Sequence, residues 1–176
     1  MLAFPFVTER LIIRRLIAED LVPFLGFMLN PKSTQYLVFE ESQKTQEDAK
    51  TLFDYVCSAY DSEEPVHSYA IADQKSNRYL GSCGFASYDA GIVECYDSVN
   101  AEHCGKGIAT EATTAIAAEL SIDYEVRAYC HPDNKAAHAV ALNSGFQSQG
   151  IAMHKNFGFE GMLFIYTSIS NPNNPK

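Results

Sequence analysis

Cys104-Gly105-Lys106-Gly107-Ile108-Ala109-Thr110-Glu111 is a glycine-rich turn that runs straight into an alanine-rich stretch of helical period. Two glycines let the backbone turn tightly and expose successive N–H groups. A helix opening near Ile108 adds unpaired N-terminal amides and the positive end of its dipole. These are the donors that a phosphate or pyrophosphate uses. Two familiar phosphate motifs do not fit. A nucleoside-triphosphate loop needs Gly-Lys followed by Ser or Thr, whereas Lys106 precedes Gly107. A dinucleotide fingerprint needs a third glycine, and Ala109 or Ala112 stands nearest that place.

On either side of this turn the hydrophobic period alternates between strand and helix. Upstream, residues 92–99 predict a strand, and residues 67–73 and 79–87 predict a hairpin around the polar turn Lys75-Ser76-Asn77-Arg78. Residues 11–15 predict a first strand. A helix follows over residues 18–29, with Pro23 in its first turn and Asn30-Pro31 as its end. Thr45 caps a second helix, with Asp48 three residues on and Ala49, Leu52, Phe53, Val56 and Tyr60 along one stripe.

Downstream of the turn, Ile108, Ala112, Ile116 and Leu120 share one helical side, and residues 124–130 alternate as a strand. A short helix runs from Pro132-Asp133-Asn134 to Ser144, with Gly145 placed to end it in a left-handed conformation. Two last strands, residues 147–154 and 161–169, precede a tail too polar and proline-rich for a core. The expected organisation is one domain over residues 1–169 and a polar tail over 170–176, in the order β-α-α-β-β-β-α-β-α-β-β.

Composition sets the class. The chain has 176 residues, of which 47% are hydrophobic and 20% charged, enough for one sizeable core. No apolar run reaches the length of a membrane span and the N-terminus lacks a secretory pattern, so we expect a cytoplasmic protein without a membrane partner. The net charge of −9 argues against non-specific nucleic-acid binding. Five cysteines with no Cys-x-x-Cys pair read as reduced thiols. Cys130-His131 with His138 has no recognisable zinc spacing, so no metal is expected.

With this order in place, the chain resembles the GNAT acetyltransferase superfamily, and within it the Rim-type branch that acetylates the N-termini of ribosomal proteins. Three pieces carry the resemblance: Thr8-Glu9-Arg10-Leu11 with Arg14, Gly105 to Ala112, and Asn134 through Gly145-Phe146 to Gly150. The resemblance implies an α/β (α+β) fold with a mixed, mostly antiparallel central sheet, splayed at the acetyl-CoA site and covered by helices on both faces. It implies acetyl-CoA as cosubstrate, direct acetyl transfer to an amine, and a monomer or homodimer. It places the pantetheine arm against Ser98 and Val99. The pyrophosphate falls on Cys104, Gly105, Lys106, Gly107, Ile108, Ala109 and Thr110, and Asn134 lies near the arm. The chemistry of Asn134 agrees, since an amide side chain both donates and accepts, although a helix cap accounts for the residue equally. The branch implies a protein or peptide α-amine as acceptor. A small-molecule amine, or a non-catalytic acyl-CoA-binding role, is the alternative.

The sequence departs from that pattern at several places. Cys104 stands where the family has Gln or Arg, and its position before a helix suggests a lowered thiol pKa and a reactive sulfur. Ala137 and Ala141 stand where a serine or tyrosine acid would be, and Asn156 stands where the branch has a glutamate base. A thiolate leaving group with a conjugate-acid pKa of about 8.5 departs with little help. An α-amine at pKa ~7.7–8 is partly neutral near pH 7.4, whereas a lysine costs about 4 kcal/mol to deprotonate. The missing groups therefore favour α-amine acceptors. Two candidate catalytic groups remain, each weighed on its own: Glu94, as a carboxylate base on its strand, and His154, which titrates near neutrality. Asp97 could serve or could merely fix a loop. His103 and His138 flank the cofactor segments and are expected to be exposed.

Overall fold

The computed structural model describes residues 4–37 and 45–167. The 170–176 tail and residues 38–44 lie outside them. Eight strands form one sheet: β1 (Phe6–Val7), β2 (Leu11–Arg14), β3 (Ser68–Asp73), β4 (Tyr79–Asp89), β5 (Ile92–Val99), β6 (Glu125–Cys130), β7 (Phe146–Met153) and β8 (Glu160–Tyr166). Their spatial order is β1-β2-β3-β4-β5-β6-β8-β7, antiparallel at every junction except β5 with β6.

Among the described residues, five α-helices complete the fold: α1 (Leu21–Met28), α2 (Pro31–Thr34), α3 (Gln46–Ala59), α4 (Ile108–Leu120) and α5 (Lys135–Asn143). Thr45 caps α3 as its sequence indicates, its hydroxyl accepting the N–H of Asp48 at 3.1 Å. Asn30-Pro31 does more than end α1. The side-chain Oδ1 of Asn30 accepts the N–H of Lys32, and Pro31 opens α2, because a proline costs a first helical turn no hydrogen bond. Strand β1 is two residues long, too short to register as a periodic pattern.

Strand alternation sorts the core into two layers. Tyr69 and Ile71 of β3 join Ile108, Ala112, Ile116 and Ala141 on the α4–α5 side of the sheet. Ala70, between them, joins Phe24, Phe27, Phe53 and Val56 on the α1–α3 side. Helices thus cover both faces, as a sheet buried on both sides requires.

The junction of β5 and β6 shapes the molecule. The two strands pair in parallel at Ile92 with Glu125, Val93 with Val126 and Glu94 with Arg127, and there the pairing stops. Beyond it, β5 remains bonded to β4 as far as Val99, while β6 continues against β8 through Cys130. The sheet therefore parts into a V whose apex is Glu94 and Arg127. One wall is the unpaired edge of residues 95–99.

Candidate active site

The glycine turn stands at the open end of the V, after the end of β5. Gly105 and Gly107 have φ of +73° and +74°, a left-handed conformation that costs an L-residue with a Cβ roughly 1–2 kcal/mol. Gly107 is the N-cap of α4, and having no side chain it leaves the first amides of the helix uncapped. Among the described residues, none accepts a hydrogen bond from the N–H groups of residues 105–110. This is a cradle of free donors at the positive end of a 13-residue helix.

Glu111, in the first turn of α4, is held from outside the helix. Its Oε1 accepts the Thr8 hydroxyl at 2.5 Å and the Arg10 N–H at 2.8 Å, and its Oε2 accepts Arg10 Nε at 2.6 Å. Arg10 Nη1 donates to the Lys106 carbonyl at 2.9 Å. Burial of the carboxyl opposes ionisation, but these hydrogen bonds outweigh it and hold the Glu111 pKa below the ordinary range. The Thr8-Glu9-Arg10 segment and the glycine turn, about a hundred residues apart in sequence, thus meet in space.

Three expectations change here. The Cys104 thiol does not face the helix amides. It is turned toward the carbonyl oxygens of Val99 and Asn100, each at 3.6 Å, and burial followed by the nearby Asp97 and Glu102 carboxylates raises its pKa. His103 is buried rather than exposed, at 8% accessibility, and that burial lowers its pKa. The ammonium of Lys106 donates to the Glu102 carbonyl at 2.7 Å. His138, half-buried, meets the His131 carbonyl through Nε2 at 3.0 Å.

Along the V, Ser98 and Val99 lie on the edge that β6 has left, opposite Ser82 and Gly81 on the β4 side. Asn134 caps α5, its Oδ1 accepting the N–H of Ala137 at 3.1 Å, which leaves its side-chain N–H groups outside that cap. Ala141 is buried in the core against α4, so no proton donor stands at either alanine. Asp97 shares the face of Val93 and Cys95 and accepts the Thr113 hydroxyl at 3.1 Å. Burial raises its pKa, and it serves to tie β5 to α4.

Glu94 points to the opposite face, and there the structure joins the two separate candidates. His154 Nε2 lies 2.7 Å from Glu94 Oε2. His154, 1% accessible, follows β7, and its Nδ1 accepts the backbone N–H groups of Asn156 at 3.2 Å and Phe157 at 3.3 Å. A nitrogen that accepts has no proton, so the ring is the Nε2–H tautomer and donates to the carboxylate. Asn156 also donates through Nδ2 to the Tyr88 carbonyl at 3.3 Å. The residue at the lost glutamate position therefore anchors the hairpin that carries His154.

An aromatic wall surrounds the pair. The rings of Tyr88, Tyr129, Phe157 and Phe159 lie 4.6–5.1 Å from that of His154. The Tyr88 hydroxyl meets that of Tyr129 at 3.1 Å and accepts the Lys155 N–H at 3.1 Å. Burial first, and then the bond to Tyr88, push the Tyr129 hydroxyl up to about 12, so it keeps its proton at neutral pH. The acids flanking Glu94 are both paired, Asp89 with Lys155 and Glu125 with Arg127. Neither the aromatic wall nor the clasp on Glu111 is visible as a motif, since the wall draws on three segments and the clasp on two that lie far apart in sequence.

A sheet that parts beside an unpaired strand edge, with free backbone donors at the open end and a held carboxylate at the apex, has the architecture of an acyl-CoA-dependent transferase. The chain belongs to the acetyltransferase (GNAT) domain family, whose model matches residues 10–147. It is 24% identical over 157 residues to the uncharacterized N-acetyltransferase p20 of Bacillus licheniformis, covering 82% of this chain and 83% of that protein. Among solved structures it resembles the ribosomal-protein-S5-alanine acetyltransferase of Vibrio fischeri at 15% identity. That match has a TM-score of 0.69 and covers 98% of this chain and 100% of the other. It also resembles AAC(6')-Ib in complex with ribostamycin and coenzyme A, at 16% identity and a TM-score of 0.71, covering 92% and 98%. At such identities the likeness establishes the fold. No helix among the described residues is long and apolar enough to cross a membrane.

Proposed function

We propose that this enzyme transfers the acetyl group of acetyl-CoA directly to the α-amine of a protein or peptide N-terminus, with Glu94 as the base that takes the amine proton. The observation that carries this reading is the position of Glu94, the last β5 residue paired to β6, whose carboxylate receives a hydrogen bond from a histidine with a defined tautomer. His154 cannot itself accept the proton at Nε2, which already donates, and its Nδ1 is occupied by two backbone N–H groups. It is a positioning residue, and Glu94, partly open to solvent at 22%, is the catalytic one.

Acetyl-CoA supplies the activated thioester. The N–H groups of residues 105–110 receive its pyrophosphate, while the Cys104 N–H is already taken by the Ala101 carbonyl at 3.3 Å and its thiol is turned away. The open edge at Ser98 and Val99, with the Asn134 amide opposite, receives the pantetheine arm as an added strand. Backbone N–H groups of β5 beyond Glu94 face the charge that develops on the carbonyl oxygen. Neither alanine on α5 offers an acid, and a thiolate of this kind leaves unaided.

The acceptor class follows from charge. A polycationic small molecule needs surplus carboxylates, and the two acids flanking Glu94 are neutralised by Lys155 and Arg127. An aromatic wall beside one free carboxylate suits a single amine followed by an apolar residue. The test measures free thiol released from acetyl-CoA with three acceptors: peptides with a free N-terminus, the same peptides N-terminally blocked but bearing lysine, and aminoglycoside-type polyamines. Turnover with the first set alone is expected. Turnover only with polyamines would overturn the acceptor class, and CoA binding without transfer to any amine would overturn the enzymatic reading.

A further inference from the structure

Glu111 stands where a carboxylate competes with the cofactor. Side chains on a helix lean toward its N-terminus, so an acid in the first turn can reach back to the free amides and satisfy them itself, as helix-capping acids do. An anion placed there also repels a pyrophosphate. Yet neither carboxylate oxygen of Glu111 touches the amides of residues 105–110. Oε1 is taken by the Thr8 hydroxyl and the Arg10 N–H, and Oε2 by Arg10 Nε. The guanidinium also fixes the Lys106 carbonyl and packs beside Gly107, where an added Cβ would meet Nη2 at 3.3 Å.

We propose that Thr8 and Arg10 form a clasp that keeps the N-terminus of α4 open for the phosphates of the cofactor, by holding the carboxylate of Glu111 away from the helix amides and cancelling its charge. Thr8 and Arg10 are positioning residues here, acting through Glu111. The inference rests on the cofactor placement given under the proposed function.

The placement makes the sign of a double substitution decisive. Releasing Glu111 harms phosphate binding only if the freed carboxylate is what does the harm, so neutralising it restores binding. A clasp that merely braces the fold behaves in the opposite way, because removing both halves leaves the brace just as absent.

The experiment measures CoA affinity by calorimetry, and kcat/KM with acetyl-CoA and with acetyl-pantetheine, which carries the thioester arm but no phosphate. The proteins are the wild type, Arg10→Ala, Thr8→Val, Glu111→Gln and the double variant Arg10→Ala/Glu111→Gln. Arg10→Ala is expected to weaken CoA about tenfold, equal to about 1.4 kcal/mol, and to leave acetyl-pantetheine turnover unchanged. Thr8→Val is expected to weaken CoA in the same direction by less, and it keeps the test intact if Arg10→Ala fails to fold. Glu111→Gln binds CoA at least as well as the wild type, and the double variant recovers most of the loss. A double variant no better than Arg10→Ala, or an equal loss with acetyl-pantetheine, overturns the clasp. Failure of the wild type to bind CoA at all would instead sink the cofactor placement on which the inference rests.

Discussion

Nε2 of His154 lies 2.7 Å from Oε2 of Glu94, sixty positions away along the chain. The histidine is buried on a hairpin whose own backbone N–H groups occupy its other nitrogen. The carboxylate thus has one oxygen directed by a donor that cannot rotate away, and a second free to meet an amine. The division of labour is testable on each partner separately.

Replacing Glu94 by Gln removes the proposed proton acceptor and keeps the shape. We expect kcat to fall by about 10²–10⁴, with CoA affinity unchanged. Steady-state kinetics on a peptide amine, run from pH 6 to 9, gives the check. An unchanged rate and pH profile would remove Glu94 from the mechanism.

His154→Leu takes away the donor and should lower kcat roughly 10–100-fold while sparing the KM for acetyl-CoA. His154→Gln returns a donor near the same place and should recover part of that loss. Long-range 15N–1H NMR correlations on the wild type should report the Nε2–H tautomer. The Nδ1–H tautomer would contradict the hydrogen-bond arrangement at this site.

At Gly107 the left-handed φ forbids an easy side chain. Gly107→Ala should cost about 1–2 kcal/mol, lowering Tm by roughly 2–8 °C for a chain of this size. Its KM for acetyl-CoA should rise more than its kcat falls, because the strain sits in the turn proposed to hold the pyrophosphate and not at the apex. A variant with wild-type Tm and KM would show that the turn tolerates another backbone geometry.

Cys104 offers a prediction with a definite sign in pH. Its raised pKa means that the thiolate fraction at pH 7 is below that of an ordinary thiol near pKa 8.5. Labelling by iodoacetamide should therefore be slower than for a free peptide cysteine at pH 7, and should keep rising with pH after that of the free cysteine has levelled off. Mass spectrometry of the tryptic peptide measures this. Rapid labelling at pH 7 would restore the reactive-thiol reading.

Arg14 and Asp20 form a largely buried ion pair, with Nη1 to Oδ2 at 2.6 Å and Nη2 to Oδ1 at 3.0 Å. Asp20 also accepts the Ile17 N–H at 2.9 Å. Asp20→Ala leaves a buried guanidinium uncompensated and should destabilise by about 3–5 kcal/mol, read from denaturant unfolding. The folded fraction should keep its kcat. A loss under 1 kcal/mol would mean that water reaches Arg14.

Local physics determined much of this protein directly from its residues. The Thr45 cap, the stripe of Ala49, Phe53 and Val56, strand 92–99 and the left-handed Gly145 each depend on neighbours within a few positions, so spacing alone reveals them. The same holds for the glycine turn before α4. Its free amides are a property of any uncapped helix start.

Tertiary structure decided what those pieces do together. Glu94 and His154 read as two rival bases because nothing in a linear pattern reports a contact across sixty positions, and the fold makes them one unit. His103 read as exposed, and Cys104 as activated by its place before a helix, whereas the titration of each depends on burial and on the neighbouring carboxylates that the fold supplies. Thr8, Arg10 and Glu111 were legible as pieces of a resemblance, but not as a clasp, for the same reason. Helix caps and turns are closed by the chain's own next few atoms. Burial, charge pairing and the parting of two strands are set by segments that meet only after the chain has folded.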